Sequence, residues 1–302
     1  MYLGSVRFFK HLFLSIILLM IIVPTVITVV LYQDIKELKT DPDEITDLYQ
    51  TIVEPLEKTD NEQQNTFPSI DYQALYPEMV CEVPLAEIAL TEGEKQVYLT
   101  FDDGPSEITK QILDTLKEKG IHATFFVVGK NLETEDGKTI LKRIVAEGHT
   151  VGIHTYSHQY QSIYQSVEAY LADFNKTYKL IYDITGMKAE IYRFPGGSIN
   201  GYNMMLYQEL IAEMTRRGFV YFDWNVSSFD AASTRPTPVD TIIQGSTNVK
   251  NYNTAIILMH DTDAKQTTAT ALPAVIDKLT EKGYGFASLS RQIKPIIFGY
   301  NE

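Results

Sequence analysis

The chain has 302 residues, 44% of them hydrophobic and 22% charged, with 17 glycines and 12 prolines. That apolar content excludes a collagen-like or wholly disordered chain, and a net charge of -13 argues against a nucleic-acid partner, a local basic patch aside. The single cysteine, Cys81, cannot close an intrachain disulfide or build a cysteine-rich zinc or iron–sulfur centre, so any metal must be held by histidine and carboxylate.

Residues 1–11 read as a short tail. Residues 12–31 then run 20 positions without a charge, enough for a helix across a hydrocarbon core of roughly 30 Å. Pro24 is tolerable inside such a span. A cleaved signal peptide is the competing reading, but the run exceeds a signal core and no A-x-A-like site follows. The expectation is a retained single-pass anchor in the cell membrane. Lys36 and Lys39 balance Arg7 and Lys10 by count, and the short basic tail favours an inside N-terminus, which leaves the rest extracytoplasmic.

Residues 32–94 read as an acidic linker, with twelve acids against three lysines between 33 and 78. Over 95–292 strands and helices alternate. The string 96–101 is a strand with Val97, Leu99 and Phe101 on one face. Helix 106–119 opens at the N-cap Ser106 and stops at Gly120, with Ile108, Ile112, Leu113 and Leu116 at helical spacing. Further strands are expected at 123–128, 150–154, 190–194, 219–226, 254–259 and 284–288. Helices are expected at 138–147, 165–184, 203–217, 238–249 and 271–282, the second of these turning Val167, Leu171, Phe174, Tyr178 and Ile181 inward. Seven strands alternating with helices argue for a parallel α/β architecture. Residues 293–302 remain as a C-terminal tail.

In a closed α/β barrel functional loops gather at the C-terminal ends of the strands. Five strand ends carry ionisable groups: Asp102 and Asp103, His154 and His158, Arg193, Asp230, then His260 and Asp261. The four-residue spacing of His154 and His158 suits one face of a helical turn. Two exposed histidines would show the same spacing, so a carboxylate must join them. Asp103, ahead of the Gly104-Pro105 turn, is placed to do so. Helix N-terminal charge explains one of the two adjacent acids easily and both poorly. Two histidines and a carboxylate with open positions describe a catalytic site for zinc, with cobalt, nickel or manganese also fitting. Asp102 is then free as a base, His260 as an acid, Asp230 to keep His260 protonated, and Arg193 to keep Asp102 ionised.

The strings Thr100-Phe101-Asp102-Asp103-Gly104, His154-Thr155-Tyr156-Ser157-His158, Arg193-Phe194-Pro195-Gly196-Gly197, Asp223-Trp224-Asn225-Val226-Ser227-Ser228-Phe229-Asp230 and Leu258-Met259-His260 resemble, as an ordered set, the NodB-homology polysaccharide deacetylases, carbohydrate esterase family four. The resemblance implies a distorted (β/α)7 barrel and a metal-dependent deacetylase. It implies Asp103, His154 and His158 as ligands of a divalent ion, Asp102 as general base and His260 as general acid. Arg193 would orient the base, and the Gly196 N–H would bind the oxyanion. Two departures stand out. Asp230 is followed by Ala231 where the family often has tryptophan, so Asp223 is an alternative to Asp230 beside His260. Gly196 stands where the family often has tyrosine, which removes an aromatic wall.

Trp224 suits either sugar stacking or core packing, and among the tyrosines Tyr156 and Tyr160 are the candidates for a glycan groove. His122 and His149 read as structural, and His11 as interfacial. No G-x-S-x-G elbow accompanies Ser227-Ser228, and Pro195-Gly196-Gly197-Ser198 lacks the P-loop lysine, which argues against nucleotide binding. The expected substrate is an acetylated cell-envelope glycan, first the N-acetylglucosamine of peptidoglycan. Exported poly-N-acetylglucosamine, chitooligosaccharide and acetylxylan are alternatives with the same chemistry. A catalytically inactive glycan-binding protein is the alternative of another class.

Overall fold

A computed structural model describes residues 71–72, 74–81, 94–231, 235–250 and 252–299. The span expected over 12–31 lies outside them, and among the described residues no helix is long and apolar enough to cross a membrane.

Strand β1 (Gln96–Asp102) is buried along its whole length. A strand with no solvated face needs layers on both sides, which is the environment of a parallel sheet. The neighbours are β2 (Thr124–Val127), β3 (Thr150–Ile153), β4 (Ile191–Tyr192), β5 (Val220–Tyr221), β6 (Val226–Ser227), β7 (Thr254–His260) and β8 (Gly285–Phe286). The order is β5-β4-β3-β2-β1-β7-β6, with β8 paired to the start of β1, and every pairing is parallel.

The strand expected over 219–226 is two strands, at opposite ends of that order. Phe222 N–H donates to the Tyr192 carbonyl, whereas Asn225 N–H donates to that of Ile256, so the chain changes partner between them. This switch fixes the curvature. Seven strands laid flat at about 4.8 Å each would separate β5 from β6 by about 29 Å. The five steps from Tyr221 to Val226 reach at most about 18 Å. The sheet must therefore curl until its two ends approach.

Among the described residues seven helices flank the strands: α1 (Glu107–Lys119), α2 (Glu135–Ala146), α3 (Tyr160–Ile163), α4 (Val167–Thr185), α5 (Tyr207–Arg216), α6 (Val239–Ser246) and α7 (Gln266–Glu281). Their ends follow local chemistry. The Ser106 side chain accepts the Ile108 N–H, and Gly120 closes α1 in the left-handed region, as the sequence predicts. Helix α2 begins a turn earlier than expected because Thr134 caps it by accepting the Gly137 N–H. Ser166 caps α4, and all five residues expected to face inward are buried.

The acidic linker expected over 32–94 does not extend through 71–81. Those described residues pack on the core, where Met79 is fully buried. Their anchor is Arg217, whose five N–H donors are all engaged. They reach the carbonyls of Tyr72, Leu75, Tyr76 and Met79, and Glu213 Oε1. Composition alone sees the acids of this stretch and not the buried guanidinium that binds its backbone. Replacing Arg217 by alanine leaves those carbonyls and Glu213 short of donors. The expected loss is about 3–5 kcal/mol, read as a lower urea midpoint of the full chain.

Candidate active site

Strands β1, β3, β4, β6 and β7 end on, or one to three residues before, Asp102, His154, Arg193, Asp230 and His260, so parallel pairing brings five sequence segments to one rim. The two adjacent acids diverge there. Asp102 stays in β1 and is buried, with Oδ1 accepting from Arg193 Nη1 at 2.8 Å. Asp103 leaves the strand at φ 76, in the left-handed region.

Arg193 is 0% exposed. Besides Asp102 it donates to Thr100 Oγ1 and to the carbonyls of Phe222 and Asp223. Burial pushes the Asp102 carboxyl above its ordinary value, and the charge and hydrogen bond of Arg193 pull against it. The residue is thus more basic than a surface aspartate, yet paired.

Asp103 Oδ1 lies 3.1 Å from His158 Nε2 and 3.4 Å from His154 Nε2. One donor atom from each of the three residues falls within 4.8 Å of the others. His154 Nδ1 donates to the Arg193 carbonyl at 2.8 Å, which leaves the lone pair on Nε2 facing the cluster. Burial lowers the pKa of His154 to about 3, so the ring is neutral, as a ligand must be. Asp103 Oδ1 is itself buried and has no hydrogen-bond partner. Two lone pairs and an orphaned carboxylate oxygen converging on one point fit a divalent ion of the zinc, cobalt, nickel or manganese type.

The spacing of the histidines does not arise on a helical turn, as expected, but on a loop. Thr155 (φ 65) and His158 (φ 54) both take left-handed backbone, which no helix continues. Asp173 on α4 braces the loop by accepting the N–H groups of Tyr156 and Ser157. Tyr156 itself turns to Glu133, 2.7 Å away, and beneath Lys176, so the tyrosine packed on a histidine ring of the cluster is Tyr160.

His260 Nδ1 lies 2.8 Å from Asp230 Oδ1, and Asp230 Oδ2 accepts both the His260 N–H and the Thr268 hydroxyl. Burial disfavours the imidazolium. The Asp230 hydrogen bond and charge, with Asp102 and Asp103, outweigh burial and hold His260 up at about 9. The alternative partner, Asp223, is engaged elsewhere: its carboxylate accepts from Ser198 N–H and the Phe298 N–H. Register sets His260 directly beside Asp102 across β1 and β7.

Sequence reasoning missed several supporting residues. Asn131 Nδ2 donates to the Asp103 carbonyl at 2.8 Å. Thr268 reaches Asp230 from α7, and Asp173 reaches the histidine loop from α4. None carries a sequence signal, since each acts across a tertiary contact. Asp261 was visible only as a neighbour of His260. Burial pushes its carboxyl up to about 7, against the hydrogen bond from Thr109. It presses so closely on the turn after β1 that a Cβ on Gly104 would lie 2.2 Å from its Oδ2. Trp224 packs edge-on against Phe298, with the Arg193 guanidinium 5.7 Å from its ring. Gly196 is exposed on a turn at φ 78. Away from the rim, His149 Nδ1 accepts the Ala123 N–H.

A sequence profile described as polysaccharide deacetylase matches residues 89–217. A peptidoglycan-N-acetylglucosamine deacetylase of Bacillus cereus is 36% identical over 196 residues, covering 64% of this chain and 68% of that protein. A Listeria monocytogenes peptidoglycan-N-acetylglucosamine deacetylase is 34% identical over 209 residues, 68% of this chain and 41% of that one. Among solved structures, the catalytic domain of a peptidoglycan N-acetylglucosamine deacetylase from Eubacterium rectale superposes with a TM-score of 0.66 at 34% identity. It covers 72% of this chain and 98% of that one.

The donor cluster predicts uptake of one divalent ion per chain, and Asp103→Asn is expected to lower that affinity by tenfold or more. Equilibrium dialysis against zinc or cobalt, read by elemental analysis, measures both.

Proposed function

This chain belongs to the polysaccharide deacetylase family, hydrolases of acetylated glycans, and on that premise we propose that it removes the N-acetyl group from N-acetylglucosamine residues of peptidoglycan. The observation that carries the reading is the pair of opposed, pre-set groups on one rim. A buried aspartate held by Arg193 lies beside a histidine held protonated by Asp230 in the register of β1 and β7, next to three convergent ligand atoms. Relatives named for that substrate support its choice. We read the curled sheet as the distorted (β/α)7 barrel of the family.

Asp103, His154 and His158 would hold a divalent ion, which when bound polarises the acetyl carbonyl and lowers the pKa of water to about 7. Asp102 takes a proton from water as the water oxygen bonds to the acetyl carbon. Arg193 occupies Oδ1, so Oδ2, 3.8 Å from His154 Nε2, is the oxygen facing the cluster. The Gly196 N–H donates to the oxyanion, a contribution of about 3–4 kcal/mol for donors of this kind. The carbon–nitrogen bond then breaks, and the His260 imidazolium gives its ring proton to the departing amine. The products are acetate and a glucosamine residue. Asp230 both orients that imidazole and stabilises its charge.

We place the domain outside the cell membrane on a single N-terminal span. The support is the uncharged run over 12–31 and the basic tail of Arg7 and Lys10.

Mass spectrometry of peptidoglycan fragments after incubation with the full chain tests the substrate. Loss of acetyl from the glucosamine units is expected, and intact units would overturn the reading. Asp102→Asn and His260→Ala are each expected to lower acetate release by about 10²–10⁴-fold, with bound metal retained by elemental analysis. The pH profile carries a sign. His260 acts in its protonated form, so activity falls as pH rises through its value of about 9. Asp230→Asn removes the group that stabilises the imidazolium, and the alkaline limb should move to lower pH in initial-rate measurements.

A further inference from the structure

The amide of Gly196 stands at the rim without a side chain, and the space beside it is already filled. A Cβ at 196 would lie 2.7 Å from Tyr160 Cε1 and 3.2 Å from its hydroxyl. Tyr160 comes from another segment, at the start of α3. Its ring meets His158 edge-on at 5.3 Å and Tyr202 at 5.1 Å. Tyr202 is 57% exposed, and Met204 and Met205, 51% and 90% exposed, follow it. Three of the seven large exposed hydrophobic residues among those described therefore sit in one short loop, which continues outward from a ligand ring through Tyr160. An exposed apolar ridge running from a reactive centre is a binding surface in the making.

The ridge is rigid. Asn200 Oδ1 accepts the N–H groups of Tyr202 and Asn203, and Asn203 Oδ1 accepts that of Asn200. Asn200 Nδ2 donates to the carbonyls of Pro195 and Gly197, and Asn203 Nδ2 to that of Ser198. The Tyr164 hydroxyl donates to the Pro195 carbonyl as well. The turn that presents the Gly196 amide and the loop that presents Tyr202 thus share one hydrogen-bond network. A ring held in place before binding loses little freedom when a ligand stacks on it.

We propose that Tyr202, propped by Tyr160, is a specificity-determining residue: its ring takes the apolar face of the sugar next to the one that carries the reacting acetyl group. The glycan is then a chain of N-acetylhexosamines read over more than one unit, with the wall missing at position 196 supplied from positions 160 and 202. The inference rests on the deacetylase reading above, and two separate readouts keep them apart.

Calorimetric titration of the full-length, metal-loaded protein with N-acetylglucosamine and with its β-1,4 pentamer tests the ridge, and acetate release from the pentamer tests the reaction. Tyr202→Ala is expected to weaken pentamer binding about tenfold, the scale of one aromatic contact, and to weaken monosaccharide binding less. Tyr202→Trp is expected to restore the pentamer affinity. Equal losses for monomer and pentamer, an unchanged pentamer affinity in Tyr202→Ala, or no pentamer binding by the wild-type chain would each overturn the proposal. A wild-type chain that binds the pentamer through Tyr202 and releases acetate neither from it nor from peptidoglycan would overturn the deacetylase reading and leave the ridge standing.

Discussion

The guanidinium of Arg193 is the group on which both the fold and the rim depend. It is fully buried, and an unpaired charge there would cost several kcal/mol. Its donors reach the Asp102 carboxylate and the Thr100 hydroxyl on β1, and the carbonyls of Phe222 and Asp223. Those two carbonyls belong to the stretch in which the chain leaves β5 for β6. The same cation that holds the Asp102 carboxylate also binds the segment whose shortness forces the sheet to curl. Curvature in turn brings the ends of β1, β3, β4, β6 and β7 within reach of one another. Chemistry and architecture share an interaction here, so neither can be altered alone.

Around that interaction the backbone is bent against its preferences. Four of the six non-glycine residues with positive φ among the described residues, Asp103, Thr155, His158 and Phe229, follow the strand ends at the rim. Each such conformation costs of order 1–3 kcal/mol and persists only where its surroundings over-determine it. The surroundings are visible: Asn131 holds the Asp103 carbonyl, Asp173 holds two amides of the histidine loop, and Ser227 Oγ accepts the Phe229 N–H. The result is that Asp103 and His158 meet although each leaves its own strand in a different direction.

What could be read from the sequence follows from which forces are local. Helix α1 was legible at both ends, because Ser106 and Gly120 act within a turn of themselves. The positions of the strands were legible and their lengths were not. Strand β4 was expected over five residues and pairs over two, since an apolar run marks burial and does not mark where a curling sheet stops pairing. The split of 219–226 depends on Tyr192 and Ile256, residues remote in sequence, and left no trace in the pattern. The cluster of Asp103, His154 and His158 was legible because strand ends in parallel sheets converge. The helical geometry assigned to the two histidines was not, because left-handed residues in a loop produce the same spacing.

The choice between Asp223 and Asp230 shows how that split divides labour. In an unbroken strand both acids would be candidates for the imidazole. With the chain changing partner between them, Asp230 lies beside β7 and His260, while Asp223 stays with the segment after β4. There its carboxylate accepts the Ser198 N–H and hydroxyl and the Phe298 N–H. Ser198 lies two residues beyond Gly196, and Phe298 packs so closely on Gly197 that a Cβ there would lie 2.4 Å from its ring. The C-terminal segment is thus tied to the turn that presents the Gly196 amide. One acid of the motif holds the His260 imidazole and the other holds Ser198, next to the Gly196-Gly197 turn. The four residues between the two strands allow both to do so from a single stretch of chain.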